Sequence, residues 1–99
     1  MPTPSLDIRN NTEQHRFEAD LDGQLAVVEY IDRGQRIVYT HTEVPRGHEG
    51  QGIGSQLARH VLDYARAAGK TVLPLCPYIG AYIRRHPEYH DLVLAGYRY

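Results

Sequence analysis

The sequence has little of several features that mark particular classes of protein. Its one cysteine, Cys76, cannot form an internal disulfide, which suits a reducing compartment, and we expect a cytoplasmic protein. The net charge of −1 gives no overall basic field that would recruit nucleic acid. No run approaches the roughly 20 apolar residues of a membrane span, and no apolar core follows Met1–Pro4, so we expect no signal peptide. Nucleic acid and membrane are therefore not expected partners.

Repeats, linkers and low-complexity segments are also missing from the 99 residues. This length has room for one domain with one modest core. The hydrophobic content of 41% is that of an ordinary globular protein. We therefore expect a single domain over residues 1–99, with residues 1–8 as a flexible tail.

Three segments in the first half have the pattern of β-strands. Polar and apolar residues alternate in Arg16–Leu21, which is the period of a half-buried strand. Leu25–Ile31 and Arg36–Val44 are rich in β-branched and aromatic residues. Asp22-Gly23 and Asp32–Gln35 are turn signals between these segments. Strands joined by such short turns predict an antiparallel meander.

The second half predicts a helix, a buried strand and a short helix. Apolar residues recur at helical spacing at Ile53, Leu57, Val61, Tyr64, Ala65 and Ala68. Gly69 is a stop signal, and the apolar run Thr71–Cys76 predicts a strand parallel to the third one. Ile79–Arg85 predicts a short helix, and residues 92–94 a last edge strand. The fold class is therefore α+β: a mixed β-sheet with an antiparallel meander, a glycine loop–helix crossover to a parallel strand, and a short C-terminal helix.

A glycine-rich segment, Gly50-Gln51-Gly52-Ile53-Gly54-Ser55, stands at the start of the longer predicted helix. The first N–H groups of a helix have no intrahelical partner, and the positive end of the helix dipole lies there. Glycine lets an anion approach the backbone and tolerates positive φ. The segment therefore predicts a site for a phosphate-bearing cofactor.

Two well-known glycine loops fit this segment poorly. A Walker loop needs a lysine for the terminal phosphates, and no lysine occurs between Met1 and Gly69. A dinucleotide-binding fingerprint needs a third glycine, where this sequence has Ser55 or Leu57. Nucleoside triphosphate hydrolysis and dinucleotide binding are therefore disfavoured.

The run Val44–Gly54 resembles motif A of the GNAT acyltransferase superfamily. That motif is a valine-bearing strand followed by Arg/Gln-x-x-Gly-x-Gly/Ala at a helix start, and Gly52 and Gly54 take the glycine places. Glu49 stands where the family usually has arginine or glutamine. Over about residues 16–94 the chain is similar to the very small, free-standing GNAT-like N-acetyltransferases, on the segments His41–Pro45, Gly50–Gly54, Pro74–Tyr78 and Ala81–Ile83.

This resemblance implies acetyl-CoA as cofactor and an amine, on a small molecule or a peptide, as acceptor. The cofactor diphosphate would rest on backbone N–H groups of Gly50–Ser55, and the backbone of Val44 would meet the acetyl carbonyl. The pantetheine arm would run between the third and fourth strands. The Glu49 carboxylate should repel the diphosphate unless it is paired, for which Arg46 is a candidate. The usual N-terminal helices are missing, which implies an acceptor side that is open or completed by another chain or molecule.

Three side chains are candidates for the chemistry. His41, near the end of the third strand, suits a base, or it is a half-exposed strand histidine bonded to backbone. Cys76 ends the fourth strand and either accepts the acetyl group, lies near the thioester, or only packs. Tyr82 resembles the GNAT tyrosine that protonates the departing thiolate, with core packing as the alternative.

Two further interpretations are set against this one. His86-Pro87-Glu88-Tyr89-His90 suggests a metal site, but proline disrupts a helical histidine pair and no spaced ligand set accompanies it, so we expect no metal. The alternative to an enzyme is a non-catalytic acyl-CoA-binding or protein-interaction module. The sequence leaves the oligomeric state open.

Overall fold

The computed structural model describes residues 6–99, and expectations for residues 1–5 lie outside this range. Five strands form one sheet in the order β1-β2-β3-β4-β5, accompanied by two α-helices and a 3₁₀ helix. Among these residues no helix has the length and apolar character needed to cross a membrane. The elements are β1 Ile8–Asn11, β2 Arg16–Leu21, β3 Gln24–Asp32, β4 Arg36–Glu43, α1 Ile53–Ala67, β5 Thr71–Pro74, α2 Pro77–Arg85 and the 3₁₀ helix Pro87–Leu92.

The predicted α+β fold class is confirmed. Strands β1 to β4 pair antiparallel, and β5 pairs parallel with β4. Helix α1 makes the crossover between them, since parallel neighbours need a long connection. The glycine-rich segment thus stands between the end of β4 and the start of α1.

Both helices pack on one face of the sheet and share one core. The apolar side of α1 lies against β3, β4 and β5, as the helical spacing predicted, and Ala58 and Leu62 join it. The fully buried Tyr39 donates a hydrogen bond to the Val61 carbonyl oxygen at 2.5 Å, which ties β4 to α1. Ala68, expected on the buried side, is instead the exposed C-cap residue.

Two elements differ from the sequence expectations. Strand β1 begins at Ile8, inside the segment expected to be a tail, and the Leu6 N–H donates to Gln56 Oε1 at 3.3 Å. The predicted strand at residues 92–94 is reduced to one parallel bridge, Val72 with Val93. Tyr89 and Leu92 of the preceding 3₁₀ helix are buried, so these apolar residues reach the core without a full strand.

Element ends also shift around two prolines. Strand β5 ends at Pro74, two residues before the predicted end at Cys76. Helix α2 begins at Pro77, two residues before the predicted start at Ile79. Proline suits the first position of a helix because its missing N–H would have no partner there. Strand β4 ends at Glu43, one residue before the predicted end.

A β-bulge in β4 reverses which residues face the helices. Glu29 pairs with His41 and Tyr30 with Tyr39, which leaves Thr40 as an extra residue. Before the bulge, Tyr39 points into the core beneath α1. Beyond it, His41 shares the opposite face of the sheet with its cross-strand partner Glu29, and Thr42 points toward the helix side. We call the face without helices the outer face.

Candidate active site

A cleft of about 520 Å³ opens where β4, the glycine-rich loop, α1 and α2 meet. Its lining contains six of the seven residues predicted to bind cofactor; Gln51 is the exception, an exposed side chain with Oε1 3.4 Å from His48 Nδ1. Neither arginine nor lysine is among the lining residues, which are Thr42, Val44, His48, Glu49, Gly50, Gly52, Ile53, Gly54, Ser55 and Tyr78.

The backbone of the loop depends on glycine at defined positions. Gly47, Gly50 and Gly52 have φ values of 93°, 79° and 78°, in the left-handed region that other residues rarely adopt. Gly52 is the N-cap of α1, so no side chain caps the helix, and no acidic residue lies in the first turn. The first three helical N–H groups therefore have neither an intrahelical acceptor nor a side-chain cap. This arrangement suits an anion.

The Glu49 carboxylate is held by the backbone of its own loop. Its Oε2 accepts a hydrogen bond from the Gly47 N–H at 2.7 Å. A bond from the Glu49 N–H, together with this one from Gly47, holds the pKa of the carboxyl below its usual range. Glu49 is thus paired with backbone, in place of the expected partner Arg46, and its negative charge stays on the wall of the cleft.

The sheet opens next to this cleft. Strand β5 pairs with β4 only over Arg36–Tyr39. The last connection is a hydrogen bond from the Cys76 N–H to the Tyr39 carbonyl oxygen at 2.9 Å. Beyond it, β4 continues along β3 to Glu43 while the chain after β5 turns into α2. A gap therefore separates the end of β4 from the start of α2.

Cys76 lies at the base of this gap. Its side chain is buried, with 3% of the residue exposed, and it is the N-cap of α2. The Cys76 Sγ lies 3.3 Å from Thr42 Oγ1, and Thr42 lines the cleft. The thiol is therefore one side chain away from the cleft wall.

His41 lies on the other side of the sheet. The bulge at Thr40 turns its ring to the outer face, where 55% of the side chain is exposed. Its Nε2 is 3.6 Å from Glu43 Oε2. The structure therefore does not bring His41 and Cys76 onto one face; they flank the gap from opposite sides.

Tyr82 is part of the core. Its ring stacks on His86 with 3.8 Å between centroids and packs at 6.1 Å from Tyr89. Only 6% of the residue is exposed, and this burial raises the pKa of its phenol. It is not among the residues that line the cleft. The tyrosine that does line it is Tyr78, one helical turn earlier on α2.

The two histidines considered as metal ligands, His86 and His90, form hydrogen bonds with backbone carbonyl groups at the end of α2. His86 Nδ1 lies 2.7 Å from the Tyr82 carbonyl oxygen, and His90 Nε2 lies 3.0 Å from the Ile83 carbonyl oxygen. Donation from these ring nitrogens satisfies carbonyl groups that a helix end leaves free. Across residues 6–99, no group of three or more His, Cys, Asp or Glu residues is arranged to hold a metal ion.

Sequence reasoning missed Thr42 and Tyr78 as cleft residues. Alternation along β4 would place Thr42 on the face away from Tyr39, and only the bulge brings it to the helix side. Tyr78 adjoins Pro77 at the start of α2, and proline at a first helical position was a usable signal that the helix begins there.

Comparison with known proteins agrees with this fold. A family model described as GCN5-related N-acetyl-transferase matches residues 16–92, and the chain belongs to this family. The predicted family is thereby confirmed. The streptothricin acetyltransferase of Streptomyces lavendulae is 44% identical over 52 residues, which are 52% of this chain and 27% of that protein. The chain thus spans about a quarter of the length of the curated relative that it matches.

Proposed function

We propose that this protein is an acetyl-CoA-dependent N-acetyltransferase that acts on an amine. The observation that carries the proposal is the cleft beside the opening of the sheet, which is lined by the start of α1 with its bare N–H groups and by Thr42, whose hydroxyl contacts the buried Cys76 thiol. Such a cleft suits a ligand with an anionic end and a reactive end. Membership of the acetyltransferase family supports the same assignment.

The residues present fit the diphosphate of coenzyme A. The N–H groups of the first turn of α1 and those of the residues 50–52 loop would hold it, since glycine leaves room for close approach. The Val44 backbone, one residue beyond β4, would polarise an acyl carbonyl in the gap. When bound, acetyl-CoA would supply the acetyl group as a thioester.

We propose that the acceptor amine approaches from the outer face. His41 is exposed there and would take a proton from the acceptor ammonium, which gives the free amine. In direct transfer, the amine nitrogen bonds to the acetyl carbon and the carbon–sulfur bond breaks. The second proton lost by the nitrogen goes to the departing thiolate, so that CoA leaves as the free thiol. In the covalent alternative, Cys76 Sγ accepts the acetyl group first and then passes it to the amine. Tyr82, stacked on His86 in the core, would support the frame of the site.

The acceptor and the compartment belong to the same proposal. The name of the relative points to streptothricin as the acceptor of that protein, so streptothricin should be one member of a panel of amines. Polyamines, lysine and peptide N-termini complete the panel. A cytoplasmic location is supported by the single free cysteine.

A non-catalytic acyl-CoA-binding module is the second candidate. It is favoured by the placement of His41 and Cys76 on opposite sides of the sheet, because a shared reaction would have to pass through the gap. Both candidates predict that the protein binds acetyl-CoA. Only the enzyme predicts that the acetyl group is transferred to an amine.

Calorimetry and a thiol-release assay test the proposal together. We expect the protein to bind CoA and acetyl-CoA, and to release CoA only when a suitable amine is added. Gly52→Asp should abolish binding with the rest of the fold retained, because it places a charge beside the diphosphate and disfavours the left-handed φ of 78° on which the loop depends. Mass spectrometry after incubation with acetyl-CoA, with Cys76→Ala as control, detects an acetyl group on the thiol. Absence of binding to either form of the coenzyme would overturn the proposal, and binding without turnover across the panel would favour the module.

A further inference from the structure

Tyr78 occupies an unusual position over the first turn of α1. It is the second residue of α2 and is 39% exposed. A Cβ atom built on Gly54 would lie 2.6 Å from the Tyr78 hydroxyl oxygen and 2.7 Å from Cζ. The same hydroxyl is 3.5 Å from Ser55 Oγ. The phenol therefore lies directly on the backbone that carries the open N–H groups.

Three other tyrosine hydroxyls among residues 6–99 have short hydrogen bonds in the fold. Tyr39 donates to the Val61 carbonyl oxygen, Tyr30 donates to Asn10 Oδ1 at 2.7 Å, and Tyr89 donates to Asp63 Oδ1 at 2.7 Å. The contact of Tyr78 with Ser55 is at the long limit for an O–H···O bond. The Tyr78 hydroxyl is thus available as a donor to a ligand in the cleft.

The charge of the cleft makes such a donor useful. The lining includes the Glu49 carboxylate and has neither arginine nor lysine. An anion bound there must therefore be held by backbone N–H groups and by the other donors of the lining, which are His48, Ser55, Thr42 and Tyr78. The backbone N–H groups at the start of α1 supply one set of hydrogen-bond donors. The Tyr78 hydroxyl, carried by α2, lies next to them.

We propose that Tyr78 is a ligand-binding residue whose hydroxyl donates a hydrogen bond to the diphosphate held at the start of α1. The inference rests on the proposed function, because it assigns the residue to the same cofactor. It also explains why position 54 is glycine, since any side chain there would displace the phenol from this place.

Calorimetry of Tyr78→Phe tests the proposal, because this change removes the hydroxyl and keeps the ring. We expect affinity for CoA and for inorganic pyrophosphate to fall by roughly tenfold, the value of one hydrogen bond to a charged group. Affinity for pantetheine, which has no phosphate, should not change. Tyr64→Phe is the matched control, because Tyr64 packs on Phe17 at 5.2 Å between ring centroids and does not line the cleft. Circular dichroism confirms that each variant folds.

The remaining outcomes separate failure of this proposal from failure of the proposed function. Unchanged CoA affinity with a lower kcat and an altered pH profile would place the hydroxyl at the thiol end of the cleft. An equal loss for pantetheine would mean that the ring, or a general change of the cleft, carries the effect. If the wild-type protein binds pyrophosphate but not CoA, the proposed function fails while Tyr78→Phe still tests the anion contact. If the wild type binds neither, both fail.

Discussion

Replacing Gly54 by alanine should separate the stability of the fold from cofactor binding. The new methyl group would lie 2.6 Å from the Tyr78 hydroxyl oxygen, so that oxygen must move by about 1 Å to reach ordinary contact distance. Cζ, at 2.7 Å, must move about as far and lies roughly 4 Å from the χ1 axis, so a rotation of about 15° about χ1 suffices. Such a rotation costs a fraction of the ~1 kcal/mol of a 30° excursion.

The helix gains a comparable amount from the same change. Alanine is more favourable than glycine inside a helix by up to about 1 kcal/mol, and by less in the first turn. Because Tyr78 is 39% exposed, it has room to turn toward solvent. The two effects nearly cancel, and we expect the free energy of unfolding of Gly54→Ala to stay within about 1 kcal/mol of wild type, or roughly 4–8 °C in Tm.

Cofactor affinity should respond much more strongly. The methyl group lies beside the first-turn N–H groups, where the diphosphate is proposed to bind, and the displaced phenol no longer holds its hydroxyl at that place. We expect CoA affinity to fall at least tenfold, or about 1.4 kcal/mol. Thermal unfolding followed by circular dichroism and calorimetry with CoA measure the two quantities. A fall in Tm of much more than 8 °C would show that Tyr78 cannot move as reasoned, and unchanged CoA affinity would show that the diphosphate binds elsewhere.

Two carboxylates give further predictions. Glu49→Gln keeps an acceptor for the Gly47 N–H but removes a charge from the cleft, so CoA affinity measured by calorimetry should rise roughly threefold at low salt and less at high salt; unchanged affinity at low salt would contradict this. Glu18 accepts from Arg16 Nε at 2.6 Å and pairs with Arg9 at 2.9 Å, which holds its pKa below the ordinary value of 4.5. Its ionised form therefore stabilises the fold above about pH 4.5, and this contribution is lost as the pH falls through the folded-state pKa. Glu18→Gln should lower the free energy of unfolding at pH 7 by about 1–2 kcal/mol and flatten the decline of Tm in acid; parallel pH profiles for the two proteins would refute the assignment.

The central part of the fold was predictable because its signals are local and strong. The alternation in Arg16–Leu21 and the 3.6-residue period of α1 each report one buried face. Strand β1 was not predicted, because its four residues, Ile8–Asn11, are mostly polar and gain their structure from pairing with β2. The strand expected at residues 92–94 is reduced to one bridge at Val93, because Leu92 belongs to the 3₁₀ helix and is buried there.

The candidate site was predictable in its backbone and less so in its side chains. Glycines mark a loop with positive φ directly, and the structure has positive φ at Gly50 and Gly52. The position of His41 depends on one extra residue, Thr40, which no local pattern reveals. Tyr78 and Tyr82 share one side of α2 by spacing, and sequence alone does not say which end of the helix adjoins the cleft.

The bulge at Thr40 sets an expectation for steady-state kinetics. The bulge turns His41 to the outer face while Thr42 points toward the helices. Acetyl-CoA and the acceptor amine would therefore reach the gap from opposite faces of the sheet. Neither would then obstruct the arrival or departure of the other. Direct transfer would therefore show random-order binding, with intersecting initial-velocity lines, and a bisubstrate inhibitor would need a linker that threads the sheet.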